Sequence, residues 1–450
     1  MGKELKFKAI SAWLFCLMFL PLTLCVCIVF LVLRLSVCLL SKCFRPDLRE
    51  PMSSLDLSFC ADSFWTRPLG ANAFIWRLEG PLDLAQVRLR ILATLSSKEY
   101  DYSRLRSRQP YIWMGFPFWK DTPNFSLDNH ITILTGETFN GTINPFILEC
   151  LQRPFERDQP LWDIFYLEGE NVFILRVHHV AGDGQSMLVF LHSILDQPEA
   201  LFLHCPTPTQ AKRPQRIKNF AETLLFAPLV FIDQFRIMAQ RHPIFTRRKI
   251  GKELVLATTE IPLSSFRRTQ DPGSTHFVAS LPLNNNSKLR RFGNAWTHGL
   301  FKLPLESCLE SSWREITLDC RYMARLRAPQ LYPWFVHLHS LLPYCVLKWI
   351  RSQTMGCATG LTNLAGPKRP VFLTGQRVLD KFAVLGLQWP EAAMSFGFFS
   401  YNDRMTITLL ANKEVFDGEC AVEDVLEKHL QSQLELILKD WIDRFDQQMS

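Results

Sequence analysis

The chain has 450 residues, enough for two or three average domains or one large two-lobed one. It is 48% hydrophobic, 12% aromatic and only 21% charged, more apolar than most soluble domains, which points to membrane association. The net charge of +7 is mild, and no basic run is interleaved with aromatics, so nucleic acid is excluded as an expected partner. The 13 cysteines include no CxxC pair and no Cys/His spacing of a zinc site, so no metal is expected. They read as reduced, small hydrophobes of a cytosol-facing body.

Ile10 to Leu33 holds 24 residues without a charge, long enough as a helix to cross the ~30 Å bilayer core. Its length and the lack of a small-x-small cleavage site argue for a retained anchor over residues 1–50 rather than a signal peptide. Pro21 allows a kink or a re-entrant hairpin, and basic residues on both flanks leave orientation open. Asn72–Leu78 then reads as a strand and Leu84–Leu95 as a helix. Residues 109–125, crowded with aromatics and prolines, read as a loop. Asn171–Val177 is a buried central strand, followed by a helix over Gln185–Leu195. The Pro/Lys/Arg-rich stretch 204–218 is the best linker, with an apolar helix over Glu222–Met238. A second aromatic helical stretch spans Leu331–Ile350. Both are expected to be core or membrane-resting surface. Ala393–Tyr401 and Met405–Ala411 form a hairpin around Asn402–Asp403–Arg404, and Ala421–Phe445 closes the chain as an amphipathic helix. The pattern is α/β in two lobes: an N-terminal lobe over 51–203, linker and apolar helix over 204–252, and a C-terminal lobe over 253–450.

The chemistry sits where the strand NVFILRV runs into His178-His179-Val180-Ala181-Gly182-Asp183-Gly184. An imidazole can take a proton from an alcohol at neutral pH and return it. Two glycines permit a tight turn, and Asp183 can fold back to fix the loop or pair with an arginine. Alternation along a strand should send the His178 and His179 side chains to opposite faces, so that only one meets a cleft.

HHVAGDG resembles the HHxxxDG signature of coenzyme-A-dependent acyltransferases. Upstream, Pro160-Leu161-Trp162 and Leu167-Glu168-Gly169 are similar to the PLW…EG segment of the wax ester synthase/diacylglycerol acyltransferase family. Downstream, Asn363-Leu364-Ala365-Gly366-Pro367 resembles its N-x-x-GP element, followed by Phe372-Leu373-Thr374-Gly375. The resemblance implies a chloramphenicol-acetyltransferase-like fold with an N-terminal transmembrane segment. It also implies His179 as catalytic base, with Asp183 structural and His178 and Gly184 in support. Pro160, Trp162, Thr362 and Asn363 are then the candidates for the substrate-facing walls, Thr362 and Asn363 also reading as a plain strand-end turn. The implied substrates are acyl-CoA and a lipid alcohol or diacylglycerol, with no cofactor beyond them. Membrane lipids are the surroundings, at the endoplasmic reticulum with the body facing the cytosol.

The family pattern also has a helix opening with an Asn-Asp pair between its two signature ends. Here Ile261–Arg268 runs straight into Thr269–Ser274 and the strand His276–Leu283, and no Asn-Asp pair occurs between His179 and Asn363. The alternative reading is therefore a catalytically impaired, membrane- or lipid-binding relic lacking one C-terminal-lobe helix.

Overall fold

A computed structural model describes residues 3–134, 143–197, 213–239, 253–262, 274–284, 291–294, 296–305, 309–326 and, with short omissions, 328–415. The first element, α1 (Lys3–Phe44), is one continuous helix with Pro21 inside it, so the apolar segment does not fold back as a hairpin. Among the described residues it is the one helix long and apolar enough to cross a membrane.

The N-terminal lobe is built on a six-stranded sheet. Its core strand is β7 (Val172–His178), in which every residue is buried. β7 lies between β2 (Ala71–Leu78) and β6 (Trp162–Leu167), both antiparallel to it, and β5 (Ile131–Leu134) runs parallel to β6 at the edge. Alternation divides β2 and β7 between two cores. Ala73, Ile75, Val172 and Ile174 face one, packed on α5 (Ile143–Gln152). Phe74, Trp76, Phe173 and Leu175 face the other, under α3 (Leu84–Leu95) and α6 (Gly184–Ser193).

Residues 109–125 are not a loop. Around them β3 (Arg108–Trp113) and β4 (Phe116–Asp121) form a hairpin, joined to β1 (Leu48–Pro51). Met114 and Gly115, both at positive φ (48° and 81°), make the turn that the aromatic and proline content concealed. Two short helices, α2 (Ser54–Leu57) and α4 (Ser103–Arg106), flank this hairpin.

The second six-stranded sheet has the order β10-β9-β11-β14-β15-β8. Its strands are β8 (Leu254–Pro262), β9 (Ser274–Asn284), β10 (Trp296–Leu305), β11 (Thr359–Ala365), β14 (Met394–Tyr401) and β15 (Arg404–Asn412). The β14–β15 hairpin turns at Asn402 and Asp403, both left-handed, as its sequence predicts.

The lobe boundaries need one correction. β12 (Phe372–Leu373) and β13 (Gln376–Val384) leave the C-terminal half and complete the N-terminal sheet, with Phe382 opposite Ile75 on β2. A cut at 204–252 therefore does not separate the lobes, because the second half lends a strand to the first. Within that segment α7 (Arg213–Ala239) is already helical from Arg213, several residues before Glu222. Residues 204–212 of the expected linker lie outside the described residues. α8 (Leu309–Arg325) precedes α9 (Tyr344–Thr354), which starts only after Pro343 rather than running through from Leu331. The stretch 263–273, where the sequence reading expects a family helix to be lacking, and the expected helix Ala421–Phe445 both lie outside the described residues.

Candidate functional site

β7 delivers His178 at its last position, fully buried. Its Nδ1 accepts the Val180 amide at 3.1 Å, so the proton belongs on Nε2, which donates to Asp62 Oδ2 at 2.9 Å. Phe64 meets the ring edge-on at 4.6 Å. Asp62 also accepts the amides of Ser63, Leu69 and Gly70 at 2.6–2.7 Å. Burial opposes its ionisation, but these donors outweigh it and hold the carboxyl below its usual range. His178 is thus locked in ring plane and tautomer, a strut for the residue that follows.

His179 lies just past the strand end. Its amide donates to Gly70 O at 2.9 Å, and its ring stacks on Phe59 with centroids 3.8 Å apart and planes 16° from parallel. Strand alternation does not carry across this position, because the chain is already turning. Both imidazoles consequently rest on one short segment, residues 56–64, rather than on opposite faces. Burial pushes the His179 pKa down to about 4. Its own backbone carbonyl pulls it back up, His178 lowers it further, and Asn294 and Asp56 raise it. The ring is neutral at physiological pH, the state a general base requires.

The rest of the motif is held by a strip of chain more than a hundred residues downstream. Asn294 Nδ2 donates to His179 O at 2.9 Å, to Val180 O at 3.2 Å and to Asp56 Oδ1 at 3.0 Å. Three surrounding oxygens identify this atom as the amide nitrogen. Gly293 O accepts from the Asp183 amide at 3.2 Å and from Ser186 Oγ at 2.7 Å. Asp183 itself caps α6, its Oδ1 accepting the Ser186 amide at 2.9 Å, so its visible role is to start that helix. Gly182 and Gly184 have ordinary φ values. Their small size serves proximity instead: a Cβ on Gly182 would sit 2.5 Å from the Phe292 ring, and one on Gly184 3.1 Å from Leu364 of β11. The loop is therefore gripped at two points by the second half of the chain. Below it, Arg104 makes a buried two-point pair with Asp56 at 2.8 and 2.7 Å and reaches Ala181 O at 3.3 Å. Among the described residues, His179 Nδ1 and Asn294 Oδ1 are two of fifteen buried side-chain polar atoms that lack a partner within hydrogen-bond geometry.

The sequence candidates are not all brought to this point. Trp162 is fully buried on the opposite face of the sheet. Its indole N–H donates to Leu105 O at 2.6 Å and its ring stacks on His130, so it is a packing residue rather than an open wall. Pro160 is likewise buried, at the entry to β6, and the neighbouring Leu161 O accepts the His178 amide at 3.0 Å. This segment braces the histidine strand from behind. On β11, Thr362 shares the face of Leu364, which abuts Gly184, whereas the exposed Asn363 lies on the other face. Sequence reading missed Asp56, Phe59, Asp62, Arg104 and Asn294. The signals were thin: two acids and an aromatic inside SLDLSFCADSF, and an RFGN tetrapeptide at 291–294.

Comparison with known proteins places this geometry. Residues 326–433 match the WS/DGAT C-terminal domain. Across 81% of the chain it is 21% identical to a probable diacyglycerol O-acyltransferase, tgs1, of Mycobacterium tuberculosis H37Rv, covering 91% of that protein. A putative diacyglycerol O-acyltransferase of the same organism is 20% identical over 66% of the chain and 76% of its own length. The fold is shared with the wax ester synthase/diacylglycerol acyltransferase of Marinobacter aquaeolei VT8 (TM-score 0.55, 15% identity, 87% of this chain and 100% of that one). It is shared also with the starter condensation domain of rhizomide synthetase RzmA, solved with C8-CoA and Leu-SNAC (TM-score 0.59, 13% identity, 89% and 96%). With a two-lobed, chloramphenicol-acetyltransferase-like body, the HHxxxDG turn at its centre and a matching C-terminal segment, the chain is similar to the wax ester synthase/diacylglycerol acyltransferases.

Proposed function

We propose that the chain is an acyl-CoA-dependent O-acyltransferase that esterifies a lipid hydroxyl, a long-chain alcohol or diacylglycerol, with His179 as general base. The observation that carries this reading is the His179 ring. It is neutral, stacked on Phe59, and fixed through its backbone by Gly70 on one side and Asn294 on the other. In the proposed step the imidazole takes the proton of the acceptor hydroxyl as its oxygen attacks the thioester carbonyl. The tetrahedral oxyanion collapses to the ester and expels the coenzyme A thiolate, which recovers the proton from His179. No covalent acyl-enzyme is needed. Thr362, on the same β11 face as Leu364, is the candidate donor to the oxyanion.

α1 fits this role as the membrane element of an enzyme whose acceptor is a lipid. Because acyl-CoA is cytosolic, the body belongs on the cytosolic face of the endoplasmic reticulum, and the sequon Asn124-Phe125-Ser126 stays unglycosylated. The direct test incubates purified microsomes carrying the chain with labelled acyl-CoA and a panel of long-chain alcohols, diacylglycerol and other hydroxyl lipids. Ester formation that His179→Ala abolishes is expected. No ester with any acceptor, from a folded and membrane-bound chain, would instead favour a non-catalytic lipid-binding member of the family.

A further inference from the structure

α1 is held to the body at both of its ends. Near its start, Ala9 and Ala12 are buried against Phe226, Leu229 and Val230 of α7, and the Trp13 indole N–H donates to Leu225 O at 3.0 Å. Near its finish, the Arg34 guanidinium donates to Ser340 O and, at 3.4 Å, to Met52 O. Val37 is buried with Leu48, Phe116 and Phe118, and Ser41 is buried as well. Between these grips, residues 14–33 carry no charge, and Leu14, Met18, Leu22, Val29 and Val32 are each more than half exposed.

The two grips belong to one folded body. α9 packs on α7 and is tied to the β3–β4 turn through the Tyr344 amide, which donates to Gly115 O at 2.7 Å. Ser54 Oγ lies 2.6 Å from His337 Nδ1 in the same region. From Trp13 to Arg34 the helix rises about 32 Å, the whole thickness of a bilayer's hydrocarbon core. If α1 crossed that core, the body joined to it at both grips would have to cross beside it. That would carry the charged groups next to the second grip, such as Arg45, Asp47 and Arg49, to the far side or into hydrocarbon. α7 extends the same apolar surface. Phe220, Leu224 and Phe235, at 67%, 53% and 49% exposure, fall within about 60° of one another around the helix that packs on α1.

We propose that α1 does not span the membrane but lies within one leaflet, parallel to its surface, with both ends on the side of the catalytic body and the α7 stripe seated in the same leaflet. The occupant of this surface is lipid. The proposal rests on the membrane reading of α1 above, and one set of measurements separates the two. The full chain, with a glycosylation reporter ahead of Lys3 and an epitope after Ser450, is expressed in cells with a sealed endoplasmic reticulum. It is expected to stay with the membrane at alkaline carbonate pH, to leave the reporter unglycosylated, and to expose both ends to antibody once the plasma membrane alone is opened. Spin labels on non-canonical residues replacing Phe7 and Leu40 are expected about 50 Å apart, the length of an unbroken helix. A glycosylated reporter overturns the in-plane placement while leaving the membrane reading intact. A label separation below about 20 Å overturns it in favour of a hairpin at Pro21. Release by carbonate overturns both readings, and release as a dimer assigns the surface to a second copy of the chain.

Discussion

Asn294 holds the backbone carbonyl of His179 at 2.9 Å from 115 residues further along the chain. The contact comes from the second half of the sequence, so it makes the placement of the proposed base depend on the docking of that half. The carboxamide nitrogen faces three oxygens: the carbonyls of His179 and Val180 and a carboxylate oxygen of Asp56. Asn294→Ala is expected to lower kcat by one to two orders of magnitude with little change in KM, since a small misplacement of the base costs about 10²-fold. Asn294→Asp is expected to be worse than Ala at pH 7.5, because it sets another anionic oxygen against those three. Its activity relative to wild type should rise as pH falls toward 5 and the new carboxyl regains a proton to donate. A pH profile in which Asp and Ala run parallel would show that the donor character is immaterial.

Burial of His179 gives its activity an unusual acid limb. With the pKa pushed down to about 4, the ring stays deprotonated well below the range where an ordinary histidine charges. kcat/KM is therefore expected to hold nearly level from pH 8 down to about 5, instead of falling below about 6.5. The same shift has a stability consequence of definite sign. Between about 6.5 and about 4 the unfolded chain binds a proton that the folded chain refuses, so stability falls as pH drops through that window and levels off below it. His179→Ala should remove this pH dependence along with 10²–10⁴-fold of the rate, leaving membrane association unchanged. Thermal unfolding of the two proteins from pH 4 to 8, beside ester formation, measures both.

Gly182 is expected to tolerate no side chain while Phe292 is present. An added Cβ would fall 2.5 Å from Cε1 of that fully buried ring, deep in the packing between loop and RFGN strip. Overpacking of this kind costs about 1–3 kcal/mol. Gly182→Ala should lower both unfolding temperature and turnover, and Gly182→Ala/Phe292→Leu should recover part of each. If the double substitution were simply the sum of the two single ones, the glycine would be needed for some reason other than the ring.

Local signals were legible where neighbours in sequence decide the structure. The strand at 72–78, the helix Leu84–Leu95 and the hairpin tip at Asn402–Asp403 followed from periodicity and turn chemistry, and the HHVAGDG turn lies where its strand delivers it. The hairpin at 108–121 was hidden because prolines and aromatics suggest a loop, while its turn at Met114-Gly115 carries no Asn-Gly or Asp-Gly mark. What sequence could not supply is the identity of partners far away along the chain. Asp62 meets His178 across 116 residues, and Asn72 Oδ1 accepts the Gly386 amide across 314. β13 leaves its own half to pair with β2. Such choices are made by the fit of a whole sheet, not by any short window. The glycines of the motif make the same point: their spacing suggested a turn, whereas their cause lies in Phe292 and Leu364.

The buried pair of Arg104 and Asp56 ties these long-range contacts together. Arg104 is 6% exposed at its side chain and Asp56 not at all, and the guanidinium also lies over the Trp119 ring at 4.6 Å. Asp56 closes the capping box of α2 with Ser53 and receives the Asn294 amide, so one carboxylate serves helix start, ion pair and site strip together. Removing one partner of such a pair leaves an uncompensated buried charge, at a cost of about 3–5 kcal/mol. Arg104→Met is therefore expected to destabilise the N-terminal lobe severely, and Asp56→Leu comparably. Arg104→Met/Asp56→Leu removes both charges and is expected to regain much of the lost unfolding free energy, since an apolar replacement of a buried ion pair is often tolerated. Turnover should not return with it. The double variant still lacks the donor to Ala181 O and the acceptor that helps orient Asn294. Denaturant unfolding in detergent micelles, set beside ester formation by the same preparations, separates the two roles. Recovery of both stability and rate would reduce the pair to packing, whereas recovery of stability alone assigns it to holding the strip that holds His179.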